Sequence, residues 1–230
     1  MKKNLIYLAA LVGVILTALV AGIMLTDDQG DAMVDYAEIE SDKVPVSLYE
    51  GDEFLEIYFD ISENMTFQKL KREADVVVKV KACGKRLCYQ KAIKTQVTVL
   101  DVLKGTDVNT NDKIFIYEPA EFDEGYEYTS DKGYNLLNDT DEYILFLKHL
   151  DVPKGYQYKK DEADTYLPST LLYSKYNVSR QVGTKLVDRK GIENRKVLFQ
   201  NVKDYEVFTT EKYALKRFQE LKKQVMKMEK

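Results

Sequence analysis

The chain begins with an unbroken apolar run, continues through segments that alternate apolar and polar residues, and ends on an apolar stripe at helical spacing. The first run, Leu5 to Leu25, reads LIYLAALVGVILTALVAGIML without a charged side chain. As a helix it would be about 31 Å long, the thickness of a bilayer core. Residues 26–45 are acidic and aperiodic and read as a spacer. The stretch from Val46 to Ile61 has the Tyr, Phe and Ile content of one or two short strands, and Thr66 opens a short helix with Phe67, Leu70 and Ala74 on one face. From Ala74 the period changes to two. ADVVVKVKAC sets Val76, Val78 and Val80 against Lys79 and Lys81, KAIKTQVTVLDVL groups Ile93, Val97 and Val99, and KIFIYE and EYILFLK are apolar on both sides. Further short strands are expected in STLLYSKYNVSR, TKLVDR and KVLFQNV, with turns at Gly183 and near Gly191. In residues 209–230, Leu215, Phe218, Leu221, Val225 and Met228 recur three or four apart, which predicts an amphipathic terminal helix. The core is therefore expected to be all-β, with a short helix before it and an amphipathic helix after it.

Charge orients the chain. Lys2 and Lys3 precede the apolar run and Asp27 and Asp28 follow it, so the amino terminus should stay in the cytoplasm and residues 26–230 outside. The expected localisation is a single-pass cell-membrane protein with an extracytoplasmic domain. Cleavage as a signal peptide is the alternative; the run is longer than the usual h-region, and Val20-Ala21-Gly22 is a poor small-x-small site. Both readings place the domain outside. With 45% hydrophobic and 31% charged residues, the composition is that of a folded chain. Setting aside Lys2 and Lys3 leaves 32 basic against 38 acidic groups outside, a formal net of −6. That balance argues against nucleic acid as a partner.

Cys83 and Cys88 are the only cysteines and His149 is the only histidine. If the four residues between the cysteines form a hairpin loop, the thiols face each other, and in an exported domain a disulfide is expected. The alternatives are a redox pair, usually spaced C-x-x-C, or a metal site, which would need a fuller ligand set than these residues supply.

Taken together, ADVVVKVKA, TQVTVLDVLKG, KIFIYEPA and DEYILFLK resemble the netrin-like module of tissue inhibitors of metalloproteinases. The matching stretches are Ala74 to Lys81, Thr95 to Gly105, Ile114 to Pro119 and Glu142 to Lys148, about a third of the chain. The resemblance implies an OB-like five-stranded Greek-key barrel with its core at 74–148. It does not carry inhibition across. Inhibitors of that family bind the catalytic zinc through a cysteine at the mature amino terminus, and no residue here matches it.

Catalytic chemistry finds little purchase. A nucleophile needs a base beside it, and the one histidine ends an apolar strand. The glycines are scattered and form no phosphate loop, and no H-E-x-x-H or calcium-loop spacing occurs. No cofactor or metal is expected; a calcium site from Glu121, Asp123, Glu124 and Asp131 has no loop spacing to support it. Two loops, 118–135 and 151–168, concentrate tyrosines among carboxylates. Tyrosine gives a large contact area at low entropic cost, so Tyr126, Tyr128, Tyr134, Tyr156 and Tyr158 are the candidate anchors of a binding surface, with Glu124 and Glu127 setting its charge preference. The reading is of residues 1–25 as anchor, 26–45 as spacer, 46–208 as a β domain and 209–230 as a basic helix. The function expected is a tethered binding module for a protein or an envelope polymer. The alternatives are an envelope enzyme using carboxylates and an atypical protease inhibitor.

Overall fold

A computed structural model of the chain describes residues 34–35, 43–49, 64–89, 91–123 and 127–228. The expected membrane helix lies outside these residues. Among the described residues no helix is long and apolar enough to cross a bilayer. The strands are β1 (Val34–Asp35), β2 (Val46–Tyr49), β3 (Val76–Tyr89), β4 (Ala92–Lys104), β5 (Lys113–Glu118), β6 (Ala120–Asp123), β7 (Glu127–Asp131), β8 (Glu142–His149), β9 (Thr165–Pro168), β10 (Lys175–Asn177), β11 (Lys185–Leu186) and β12 (Phe208–Thr209). The helices are α1 (Phe67–Glu73), α2 (Arg189–Glu193) and α3 (Lys212–Val225). The domain is mainly β.

Five strands close into a barrel in the order β3-β4-β5-β9-β8, and β8 pairs back onto β3 from Val76↔Leu147 to Lys81↔Glu142. All neighbours are antiparallel except β5 and β9, which run parallel at Phe115↔Thr165 and Ile116↔Tyr166. The fifth strand therefore lies beyond residues 74–148, where the sequence placed the barrel core. Alternation fills the interior: Val76, Val78 and Val80 of β3, Val97 and Val99 of β4, Ile114 and Ile116 of β5, and Leu145 and Leu147 of β8 pack together. The tight turn after β4 is at Gly105, whose φ of +106° suits a residue without Cβ.

The residues between these also need cover, because Val77, Ile144 and Phe146 point outward. α1 and α3 provide it. Thr66 caps α1, its hydroxyl accepting the Lys69 N–H at 3.1 Å, and Leu70 packs inward. α3 buries Leu215, Phe218, Leu221 and Val225 on this side of the barrel, with Phe218 stacked on Tyr176 at 5.0 Å. A third cluster joins the sheet β2-β7-β6 to Ile93, Phe199 and Phe208. Gly133 lets this layer close: a Cβ there would fall 1.6 Å from the Phe208 carbonyl oxygen, and its φ is +90°.

Three sequence expectations are corrected. Cys83 and Cys88 form no disulfide. The segment between them is not a hairpin loop but a bulge inside β3, where the register slips between Ala82 and Arg86 and Gly84 takes φ +76°. The hairpin turn comes later, between Tyr89 and Ala92. The two thiols thus follow each other along one strand and cannot meet the roughly 7 Å limit between bridged Cα atoms. KVLFQNV, read as a strand, holds a 3-10 turn at Phe199–Asn201. Gly191 lies within α2, which Asp188 caps by accepting the Gly191 N–H at 2.9 Å.

Two outcomes follow from this packing. Phe218→Ala should lower unfolding free energy by about 3 to 5 kcal/mol in urea titrations, as for other buried aromatic truncations; a loss within measurement error would mean α3 is not docked. A thiol reagent should modify exposed Cys83 in the native protein and buried Cys88 only on unfolding, and finding no reactive thiol without reductant would contradict the strand assignment.

Candidate binding surface

The outward side of β4 and β5 carries side chains that the interior does not need. Inward Ile114 and Ile116 leave Lys113, Phe115 and Tyr117 facing out, and inward Thr95, Val97 and Val99 leave Lys94, Gln96 and Thr98. Strand pairing sets these in rows across the sheet: Lys81, Thr98 and Lys113; then Gln96 and Phe115; then Leu87, Lys94 and Tyr117. Tyr89 meets Tyr117 edge to face at 5.8 Å. The Lys94 ammonium lies 4.7 Å from the Phe115 ring centre and 5.5 Å from that of Tyr117.

The loop from Leu150 to Asp164 is tied to this side of the barrel. Asp161 accepts a charged hydrogen bond from Lys94 at 2.6 Å, and its carbonyl accepts the Thr165 hydroxyl at 2.6 Å. Within the loop, Glu162 accepts the Tyr156 hydroxyl at 2.9 Å and the Lys159 N–H at 2.7 Å. Those two bonds, the backbone one foremost, hold the Glu162 carboxyl below the usual range. Tyr156 and Tyr158 meet edge to face at 6.2 Å and are 41% and 43% exposed. The result is a pair of exposed phenol rings on a loop pinned beside a half-buried aromatic row.

Of the tyrosines singled out by sequence that fall among the described residues, this pair is surface-exposed and the others are buried. Tyr128 is buried among Phe122, Phe199 and Phe208, and its hydroxyl donates to Asn135 Oδ1 at 3.3 Å. Tyr134 is buried as well and donates to Glu118 Oε2 at 3.0 Å. Both are corrected from surface anchors to core residues: β7 alternates, and its Tyr128 falls on the inner side. Glu127 is half-buried in an ion pair with Arg195 at 2.8 Å. Tyr126 and Glu124 lie outside the described residues. Phe115, Tyr117 and Lys94 were missed, although the alternation in KIFIYE, isoleucine against aromatic, carries the signal.

Behind the face, the barrel end is sealed by buried polar groups. Glu118 accepts the Thr95 hydroxyl at 2.5 Å, the Tyr134 hydroxyl and the Leu137 N–H at 2.8 Å. Arg86 donates to the Leu137 carbonyl at 2.5 Å and pairs with Asp139 at 2.8 Å. Lys175 donates to the Asn135 carbonyl, with its ammonium 4.6 Å from the Tyr134 ring centre. Burial pulls the Lys175 pKa down to about 8 against the opposing pull of Glu118 and Glu206. Burial likewise raises the Glu206 carboxyl, outweighing its ion pair with Lys222 of α3. These groups lie in the interior, so they act as a structural plug. His149, at the strand end, has Nε2 3.1 Å from Asp107 and its ring against Tyr166.

A separate groove of about 460 Å³ has Leu100, Leu103, Ile144 and Met228 in its lining and the Lys79–Glu142 ion pair at its edge. None of the sequence-predicted anchors among the described residues lines it. Among the described residues no three His, Cys, Asp or Glu side chains are grouped to hold a metal ion. No protein-family model matches the chain, and no curated protein matches it.

The plug generates a pH test. Lys175 has its folded pKa below its unfolded value of 10.5, so above about pH 8 the folded state sheds a proton that the unfolded chain keeps, and stability rises with pH. Above about pH 10 the buried Tyr134 and Tyr176, whose pKa values burial raises, act in the opposite sense. From pH 7 to 9.5 the parent should gain on the order of 2 kcal/mol relative to Lys175→Met in urea unfolding. A difference independent of pH would remove the penalty assigned to this ammonium.

Proposed function

We propose that the chain is a single-pass membrane-anchored, extracytoplasmic binding module. Its binding surface is the outer side of β4 and β5 together with the loop between β8 and β9. The observation that carries this reading is the Tyr156–Tyr158 pair, exposed yet held by Glu162 and Asp161 on a loop bonded to the barrel. Exposed aromatics on a fixed loop lose little entropy on binding, which is what recognition surfaces exploit.

The strand circuit supports an OB-like Greek-key barrel. In barrel order the strands run first, second, third, fifth, fourth and back to the first, with the third and fifth parallel. That order also fits the netrin-like resemblance of residues 74–148. OB barrels take ligands on the face of their second and third strands and on the loop between the fourth and fifth. Here those are β4, β5 and the loop bearing Tyr156 and Tyr158. The argument from fold is one of analogy, and the named side chains give it content. The apolar run at Leu5 to Leu25 and its flanking charges support the anchor and orientation.

The test is a comparison of the parent with a Tyr156→Ser, Tyr158→Ser double variant in retention on isolated cell-envelope fractions. Both rings are exposed, so thermal melting should match within about 0.5 kcal/mol of stability. Retention should fall in the variant; equal retention at equal stability would eliminate this surface.

A further inference from the structure

We infer that this surface takes an anionic polysaccharide, an inference that rests on the binding-module reading above and names its ligand class. The observation is the charge pattern of the outer sheet. From Lys81 to Tyr89 on β3, and across the outward positions of β4 from Lys94 to Thr98 and of β5 from Lys113 to Tyr117, there is no carboxylate. Lys81, Lys85 and Lys113 are exposed there. This occurs on a chain whose formal net charge is −4.

Three carboxylates near the face are engaged. Asp161 holds Lys94 at 2.6 Å, Glu142 holds Lys79 at 2.9 Å, and Glu121 accepts the Lys91 N–H at 2.5 Å. Lys81 and Lys113 flank Thr98 in one row, which continues past Lys81 to Glu142 of β8, the partner of Lys79; Gln96 and Phe115 make the next. Flanking cations, hydroxyl and amide donors between them, and aromatic rings alongside match a chain of sugar rings bearing acidic groups. The apolar C–H faces of the sugar rings pack on exposed Tyr158 and on the free side of Phe115, whose ring has the Lys94 ammonium 4.7 Å from its centre, while Gln96 and Thr98 meet their hydroxyls. The acidic substituents meet Lys81, Lys85 and Lys113.

A nucleic acid has a similar make-up but a denser line of charge, about one phosphate per 1.7 Å of duplex or 3.4 Å of one strand, than a polymer with at most one acidic group per sugar ring. Three exposed lysines on an acidic domain do not offset that repulsion. A less densely charged polymer meets the few cations and less of the surrounding repulsion.

The experiment measures binding of labelled polygalacturonate oligomers to the full chain in neutral detergent micelles, with neutral dextran and a single-stranded oligothymidylate as comparison probes. The parent should bind polygalacturonate in preference to both, more weakly as salt is added. A Lys81→Glu, Lys113→Glu double variant should lose about tenfold in affinity at low salt, and Tyr158→Ser should also weaken binding. These positions are exposed, and matched thermal melting of the variants excludes loss of fold. Unchanged affinity in the charge-reversed variant, or oligothymidylate binding as tight as polygalacturonate, overturns the anionic-glycan assignment. If polygalacturonate fails to bind while Tyr156→Ser, Tyr158→Ser still abolishes envelope retention, the ligand class falls and the surface stands. If both fail, the surface falls with it.

Discussion

The pairing of β8 with β3 is the constraint on which the rest of the domain depends. Six consecutive positions on each strand join, and that single seam turns an open sheet with two bare edges into a closed barrel. Closure gives each of the two strands two buried sides, since inward residues meet the barrel core and outward ones meet α1 and α3. This is why ADVVVKVKA and EYILFLK carry apolar residues at adjacent positions where a half-exposed strand would alternate strictly. The helices in turn are held by what the seam displays, with Phe218 on Tyr176 and Phe146 beside Tyr176 at 6.0 Å.

Closure also divides the outer surface. The β3–β8 side is covered by helices, whereas the β4–β5 side is met by a loop that Lys94 and Asp161 bond to the sheet. A charged hydrogen bond to a nearly buried lysine is a stronger tether than a surface pair of the same length, because little solvent screens it. The loop therefore inherits the rigidity of the barrel. Among the buried polar groups, Glu118 accepts from Thr95, Tyr134 and the Leu137 N–H, Arg86 bonds the Leu137 carbonyl and Asp139, and Lys175 bonds the Asn135 carbonyl. The lowered pKa of Lys175 follows from burial and does not mark an open site.

Period-two alternation located β3 and β4, short runs apolar on both sides located β5 and β8, and apolar residues three or four apart located the terminal helix. None of these patterns could locate β9, a four-residue strand, Thr165–Pro168, whose place is set by pairing with distant β5 and β8. The cysteines misled for a related reason: Gly84 and its charged neighbours have the composition of a turn, yet in the barrel they form a bulge whose strand continues to Tyr89. Tyrosine-rich loops were legible as composition, but burial was not. Tyr128 and Tyr134 share their local sequence character with Tyr156 and Tyr158, and only packing against Phe199 and Glu118 separates them. The Phe115 and Tyr117 row was present in the alternation of one short strand but was masked by its uniform hydrophobicity.

Native-state hydrogen exchange tests the seam most directly. If β8 closes the barrel on β3, the backbone amides that bond across this seam, within Val76 to Lys81 and Glu142 to Leu147, should exchange only through global unfolding and be among the slowest in the chain. Exchange of those amides at the rate of a sheet edge, while β4 and β5 remain protected, would contradict a closed barrel and the rigid support it gives the Tyr156–Tyr158 loop.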